Sequence, residues 1–395
     1  MHQRKWDQFF PKKFEIAIVN EEIILYNYTV NNIIFKRTIK MKQFRRIGVL
    51  TSGGDAPGMN AAVRAVTRAA LAHGVKVVGI KRGYSGLIDG EVSLLGIRDV
   101  SNIMNKGGTV LYSDRCPEML TKEGKDKAIA TCEKEEIDGI VAIGGDGTFR
   151  GARALTELGI PCIGIPGTID NDITSTDNSI GYDTAMNTVI DLVDKLRDTC
   201  ESHARCNVVE VMGRGAGDIA LNAGIATGAT GIVIPEIPFD DDELCEKIKT
   251  ARKLGKRNFI VLVSEGVGSD YAPALAKKIQ NETGVETKFA RLAHVVRGGT
   301  PTLKDRVLAS RMGVAAVEQL LLGNSNLVIC ERHGDIVATE IGYALTADMM
   351  NKNIDVTEEQ LAAFTEEQLE GMKALVEERR SDIKYLYDVA TTINL

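Results

Sequence analysis

The sequence contains no C-x-x-C pair, and its cysteines, at 116, 132, 162, 200, 206, 245 and 330, are odd in number. That spacing excludes a zinc ribbon and a closed disulfide frame, and it predicts reduced thiols in a cytoplasmic protein. Also absent is any apolar run near the ~18 residues of a membrane helix. The N-terminus carries charges and aromatics where a secretory leader would carry an apolar segment. No G-x-x-x-x-G-K-[ST] loop occurs, nor a clean G-x-G-x-x-G after the first core strand, so the commonest nucleotide grips are excluded. Basic excess is missing too: 48 Lys and Arg against 54 Asp and Glu give a net charge of −6. We therefore expect no nucleic-acid and no membrane partner, although a locally basic pocket is compatible with that balance.

Glycine is lacking from one region only. The first 40 residues hold none of the 39 glycines but seven of the 20 aromatics. This sets 1–43 apart as an accessory or non-native appendage, with Met41 opening the main body; a small β-hairpin used in assembly is the alternative. From residue 46 short apolar runs alternate with helical stretches. Expected strands are 47–50, 75–80, 139–143, 162–165, 207–212, 231–235, 259–263 and 327–330; expected helices include 59–73, 149–158, 183–199 and 303–322. Near-continuous apolar strands suit a parallel sheet buried on both faces. The alternation predicts α/β architecture, with two doubly wound, Rossmann-like domains and an active site in the cleft between them. The tail repeats "TEEQL" at 357–361 and 365–369, each with a threonine N-cap, and reads as one or two surface helices.

Four strand ends share one grammar: "TSGGDAPGMN", "IGGDGT", "PGTIDND" and "MGRGAGD". Ligands of open α/β sheets bind outside such carboxyl ends. Glycine lets backbone N–H groups approach an anion, and a helix N-terminus adds donors and a positive dipole end. The two G-G-D loops therefore predict a phosphate grip. Asp146, in the second loop, could reach a magnesium bridging two phosphates, since that ion takes one or two carboxylates plus phosphates and water. Asp170 and Asp172, two apart in an extended loop, would face one side, one as a base and the other orienting it or supporting the metal. A plain turn with solvated acids is the alternative. Arg115, Arg205, Arg214 and Arg297 lie beside Gly, Pro or Cys or in short loops, where guanidinium forks suit phosphate.

With these motifs in order, residues 44 to about 345 resemble the bacterial ATP-dependent 6-phosphofructokinases. "GVLTSGGDAPGMNAAVR", "GGTVLYSDRCPE", "AIGGDGT", "GIPGTIDNDI", "VVEVMGRGAGDIAL" and "RGGTPTLKDRVLASRMG" carry the resemblance. It implies a glycolytic kinase moving the ATP γ-phosphoryl group to the 1-hydroxyl of fructose 6-phosphate, with Mg²⁺. Gly54, Arg115, Cys116, Gly145, Asp146, Gly147 and Thr148 would bind ATP, with Asp146 on the metal. Asp170 would be the base, supported by Thr168 and Asp172, while Arg115 and Arg214 offset the transferred charge. Met212, Gly213, Arg214 and Glu265 would hold the sugar, and His294, Arg297, Arg205 and Lys288 its 6-phosphate. The Arg205 and Lys288 equivalents reach across a subunit interface in the family, so a homo-oligomer, a tetramer, is implied.

The resemblance also divides the chain. It implies an ATP-binding domain (44–181 plus 297–346), a sugar-phosphate domain (182–296 plus 347–364) and a helical tail (365–395). Pyrophosphate-using members carry Asp at position 147 and Lys at 167; both are glycine here, which favours ATP. Departures exist. Lys288 stands where the family usually has arginine, and Val296 replaces a polar residue. Of the nucleotide-effector site, Arg64, Arg68, Arg197 and Lys256 match, but Thr230, Ile97 and Asn258 do not, which predicts weak or altered allosteric regulation. A pyrophosphate-dependent enzyme and a non-catalytic sugar-phosphate-binding subunit are the alternatives.

Overall fold

The computed structural model describes residues 44–393 and, within the first 43, the backbone of three strands. These strands, β1 (Phe14–Val19), β2 (Glu22–Asn27) and β3 (Phe35–Lys40), form an antiparallel meander with Phe14 opposite Asn27 and Glu22 opposite Lys40. The segment expected to be an appendage therefore carries a small sheet. The remainder of 1–43, and with it the question of accessory or non-native origin, lies outside the described residues.

The apolar runs build two further sheets. The larger contains β4 (Arg46–Thr51), β5 (Lys76–Ile80), β6 (Val92–Leu95), β7 (Gly139–Gly144), β8 (Cys162–Pro166), β13 (Leu327–Arg332) and β14 (Asp335–Glu340), in the order β14-β13-β8-β7-β4-β5-β6. Its five inner strands run parallel, and the edge strands β6 and β14 pair antiparallel. The smaller sheet is wholly parallel: β9 (Cys206–Val211), β10 (Gly231–Val233), β11 (Phe259–Ser264) and β12 (Thr287–Arg291), in the order β10-β11-β9-β12. Every residue of β7, β8, β9 and β11 is buried, as expected for strands with helices on both faces.

Helices α1 (Met59–Ala72), α2 (Gly83–Asp89), α3 (Lys122–Lys134) and α4 (Asp146–Glu157) connect the strands of the larger sheet. Helices α5 (Tyr182–His203), α6 (Asp218–Thr227), α7 (Asp241–Lys253) and α8 (Tyr271–Thr283) belong to the smaller one. The chain then returns through α9 (Leu303–Leu321) and α10 (Ile341–Asn351), and ends in α11 (Glu358–Leu361) and α12 (Glu366–Ile393). Gly313 of α9 lets that helix meet α1, since a Cβ there would stand 2.6 Å from the Ala65 methyl. The buried Asp305 of α9 accepts from the Gly181 and Thr184 amides, both at 2.9 Å, and so fixes the start of α5.

The tail is more than a solvated helix. Met372, Val376, Ile383 and Ala390 of α12 fall on one stripe and are buried against α6 and α10. Burying a side chain such as Met372 contributes about 1.5–3 kcal/mol. In the larger sheet the strand order reverses beside β4, because the chain leaves it for β5 on one side and returns as β7 on the other. The loops after β4 and β7 therefore flank a crevice, where such folds bind ligands.

Candidate active site

The first glycine loop is pinned from two directions. Gly53 N donates to Asp114 O at 3.1 Å and Ser113 Oγ donates to Gly53 O at 2.5 Å, which brings the exposed Arg115 and the half-buried Cys116 beside it. From the other side Arg297, in the 3₁₀ turn Ala293–Arg297, pairs with Asp55 Oδ1 at 2.8 Å and donates to Asp55 O. Gly54 leaves room for this approach: a Cβ would lie 2.4 Å from Arg297 Nη2, and the guanidinium would have to shift. His294, one turn earlier, is exposed.

The second loop is tighter than the sequence implies. Helix α4 begins at Asp146, not at 149, with Gly145 as its N-cap and no side-chain cap. Asp146 therefore sits in the first turn of a helix, with the N-terminal dipole end behind it. Thr148 faces inward: its hydroxyl donates to Ser52 O at 3.1 Å and its carbonyl accepts from Tyr84 OH at 2.6 Å. Its side chain joins the two glycine loops, leaving Gly145 and Gly147 as the open face. A Cβ at Gly147 would meet nothing within 4 Å.

The "TIDND" acids come together, but not on an extended strand. Asn171 is left-handed (φ 54°) and buried; its Oδ1 accepts from Ser179 N at 2.9 Å. Thr168 Oγ1 accepts from Asp170 N at 3.2 Å. Asp170 then sits between two cationic residues and two acids. Burial pushes its carboxyl up to about 6, and the charges of Asp172 and Glu265 add to this while Arg214 and Arg297 oppose it.

Asp172 turns away, toward a partner that sequence reasoning missed. Lys352, which caps the C-terminus of α10, places Nζ 2.9 Å from Asp172 Oδ2 and 3.0 Å from Asp146 Oδ2. Burial lowers the Lys352 pKa, but the charges of Asp172, Asp146 and Asp348 outweigh it and hold it above the ordinary lysine range. Asp348, one turn back on α10, is buried; burial first, then the Asp146 charge, pushes its carboxyl up. Arg379 of α12 was also missed. Its Nη2 donates to Asn171 O at 2.6 Å and to the buried Asp218 Oδ1 at 2.7 Å. The sequence offers no local signal for either residue, since Lys352 bonds to acids 206 and 180 residues earlier in the chain and Arg379 to a carbonyl 208 residues earlier.

Across the crevice, the loops after β9 and β11 clasp each other. Arg214, left-handed at φ 57°, donates its amide to Glu265 Oε1 at 2.9 Å. Gly213 (φ 148°) lets the chain double back, since a Cβ would lie 2.5 Å from Ala216 O. Met212 is half-buried beside them. Arg205 and Lys288 are elsewhere. Both pair with Glu286, at 2.7 and 2.9 Å, at the amino ends of β9 and β12. That is roughly 20 Å from Met212, at about 3.3 Å per strand residue. They do not join the rest of the cluster within one chain.

The effector candidates divide similarly. Arg197 donates to Asn258 Oδ1 at 3.0 Å and to Thr227 O, and burial and then Arg197 lower the pKa of Lys256. Arg64 and Arg68 project from α1, and among the described residues no hydrogen bond or ion pair joins them to that group. Thr230 is buried and Ile97 exposed. Thr230 also lines a cavity of about 250 Å³ with Lys247 and Tyr387, to which no catalytic candidate contributes.

Carboxylate oxygens are the hard donors magnesium prefers, and Asp146 Oδ1 is buried without a hydrogen-bond partner. Among the described residues no three His, Cys, Asp or Glu side chains converge as a metal cage. The set fits an ion that takes one or two protein oxygens and completes its shell from phosphates and water.

Comparison with known proteins agrees with this arrangement. The phosphofructokinase family model matches residues 46–320. The ATP-dependent 6-phosphofructokinase of Bacillus pumilus is 54% identical over 297 residues, which are 75% of this chain and 92% of that protein. Among solved structures, Pichia pastoris phosphofructokinase in the T-state superposes with a TM-score of 0.77 at 32% identity, covering 89% of this chain and 39% of that one. The pyrophosphate-dependent phosphofructokinase of Marinobacter aquaeolei gives 0.68 at 25% identity, covering 75% and 83%. With the two α/β units, the paired glycine loops and the acid cluster already in place, these likenesses establish that the chain belongs to the phosphofructokinase family.

Proposed function

We propose that this chain is a cytoplasmic ATP-dependent 6-phosphofructokinase that converts fructose 6-phosphate and ATP to fructose 1,6-bisphosphate and ADP. The observation that carries the reading is the position of Asp170. It is a base with a carboxyl near 6, ionised at neutral pH, between Arg214 and Arg297 and two residues from Asp172 of the Asp172–Lys352–Asp146 chain. The sugar 1-hydroxyl gives its proton to Asp170 as its oxygen forms the new bond to the γ-phosphorus. The bond from that phosphorus to the β,γ-bridging oxygen breaks, and ADP leaves. Phosphoryl transfer needs positioning and charge neutralisation more than covalent help. A positioned base contributes typically ~10²–10⁴-fold.

The remaining residues take roles by place. Loops 52–55 and 145–147 present backbone amides to the nucleotide phosphates, with Arg115 and Cys116 at their edge. Asp146 would hold Mg²⁺, which neutralises phosphate charge. Thr168 orients the Asp170 backbone, and Met212, Gly213, Arg214 and Glu265 line the sugar side. His294 and Arg297 would meet the 6-phosphate. Arg205 and Lys288, too distant in their own chain, would complete a neighbouring subunit's site, which supports a homotetramer. Residues 44–181 with 297–346 form the nucleotide side and 182–296 with 347–364 the sugar side. Arg197 and Lys256 support a nucleotide effector, with altered regulation because Thr230, Ile97 and Asn258 depart from the family.

Donor choice rests on two glycines. Open space at Gly147 admits a nucleotide α-phosphate. At Gly167 a Cβ would press on Ile143 Cγ2 at 3.1 Å and Met59 Cε at 3.2 Å, so a longer side chain does not fit without rearrangement. The test is a coupled assay of fructose 6-phosphate with ATP or pyrophosphate, with and without Mg²⁺. We expect turnover with ATP and Mg²⁺ together. Equal turnover with pyrophosphate would replace this reading by the pyrophosphate-dependent one, and none with either donor would favour a binding subunit.

A further inference from the structure

We infer that Lys352 is a built-in counter-ion of the metal position, so that its ammonium and the divalent ion of the nucleotide occupy that position in turn. The inference rests on the proposed role of Asp146. Lys352 lies outside the residues matched by the family model, which end at 320. It nevertheless delivers a cation between Asp146 Oδ2 and Asp172 Oδ2, at 3.0 and 2.9 Å. An ammonium is a compact charge on a flexible stem, so it can leave without moving α10.

It also has somewhere to go. Asp348 precedes it by four residues on α10, on the same helix face. One Asp348 oxygen accepts from Thr174 N at 2.5 Å, and the other, Oδ2, is buried with no partner. Asp146 Oδ1 is likewise buried and unpartnered. Asp146 and Asp348, whose charges both act on the Lys352 ammonium, thus each carry a buried oxygen that bonds to nothing. A divalent ion entering at Asp146 brings twice the charge and repels the ammonium at contact distance. Lys352 would then turn back along its helix toward Asp348 Oδ2, leaving the Asp146 carboxylate free to hold the ion. While no metal is present, Lys352 neutralises acids that would otherwise repel one another beside Asp170.

The test measures metal binding without turnover. The full-length chain is titrated with Mn²⁺ in the presence of ADP, and free Mn²⁺ is read by electron paramagnetic resonance. Lys352→Met should bind Mn²⁺ about tenfold more tightly, because a competing charge is gone. Asp348→Asn, which keeps the Thr174 bond but weakens the acceptor, should bind it severalfold more weakly. The double variant should match Lys352→Met alone, since without the lysine Asp348 has nothing to receive. Should Lys352→Met fail to fold, Lys352→Arg serves: its fork clasps both carboxylates and should weaken Mn²⁺ binding. Unchanged or weaker binding in Lys352→Met, or unchanged binding in Lys352→Arg, overturns the inference. Asp146→Asn separates the two layers. If it lowers Mn²⁺ affinity while Lys352→Met has no effect, the counter-ion idea alone fails; if it leaves affinity unchanged, the metal assignment fails with it.

Discussion

Replacing Asp170 by asparagine removes a negative charge that the fold holds at a disadvantage. Its carboxyl stands at about 6 against an ordinary 3.8, chiefly through burial. At 1.36 kcal/mol per pKa unit, the ionised form costs at most about 3 kcal/mol. Since the folded pKa lies above the unfolded one, the penalty is absent below about pH 4, grows as pH rises through 6, and is complete above it. Asp170→Asn should therefore melt at least as high as the parent at pH 8, by as much as several degrees, and show no advantage at pH 4. Thermal melts in chelator at both pH values, on protein free of metal and substrate, measure this. Turnover should move oppositely, falling by about 10²–10⁴-fold as the base is lost. In the parent, kcat/KM should decline as pH drops through about 6, as the carboxylate is protonated. A variant that keeps turnover within tenfold, or melts several degrees lower at pH 8, would refute the placement of a desolvated base at 170.

Arg379→Ala, which frees the Asn171 carbonyl and Asp218, should lower kcat by about 10–100-fold with little change in KM for ATP, because a small misplacement of the reacting group is enough; Arg379→Lys should recover part of the loss, and kcat equal to the parent's would assign Arg379 to stability alone. Because Arg205 and Lys288 sit at the far end of β9 from Arg214, an inactive Asp170→Ala chain mixed and reassembled with an inactive Arg205→Ala/Lys288→Ala chain should regain activity in mixed oligomers. Failure of that complementation, with mixed assembly verified by mass spectrometry, would remove the shared-site assignment.

What the sequence reveals depends on the range over which each feature is determined. Inner strands such as "GIVAIG" are apolar at nearly every residue and were legible as strands. The edge strands "TKFAR" (287–291) and "DIVATE" (335–340) were not, since an edge exposes polar side chains and breaks the apolar run. The start of α4 was set three residues late because "GGDG" reads as loop, and glycine hides a helix that begins without a side-chain cap. Asp146, Asp170, Arg115 and Arg214 were visible through their motifs. Lys352 and Arg379 were not: they stand 206 and 208 residues beyond the acid and the carbonyl they bond, and no periodicity connects such positions. An extended "TIDND" was also a wrong local picture, because a buried asparagine side chain that bonds the backbone can stabilise a left-handed turn.

The reach of Arg379 has a consequence for biosynthesis. The carbonyl of Asn171 emerges from the ribosome 208 residues before the guanidinium that fastens it. At about 5–20 residues per second, the catalytic turn waits roughly 10–40 s for its clasp. Both sheets can assemble in that interval, so a nascent chain acquires its shape well before its reactive loop is set.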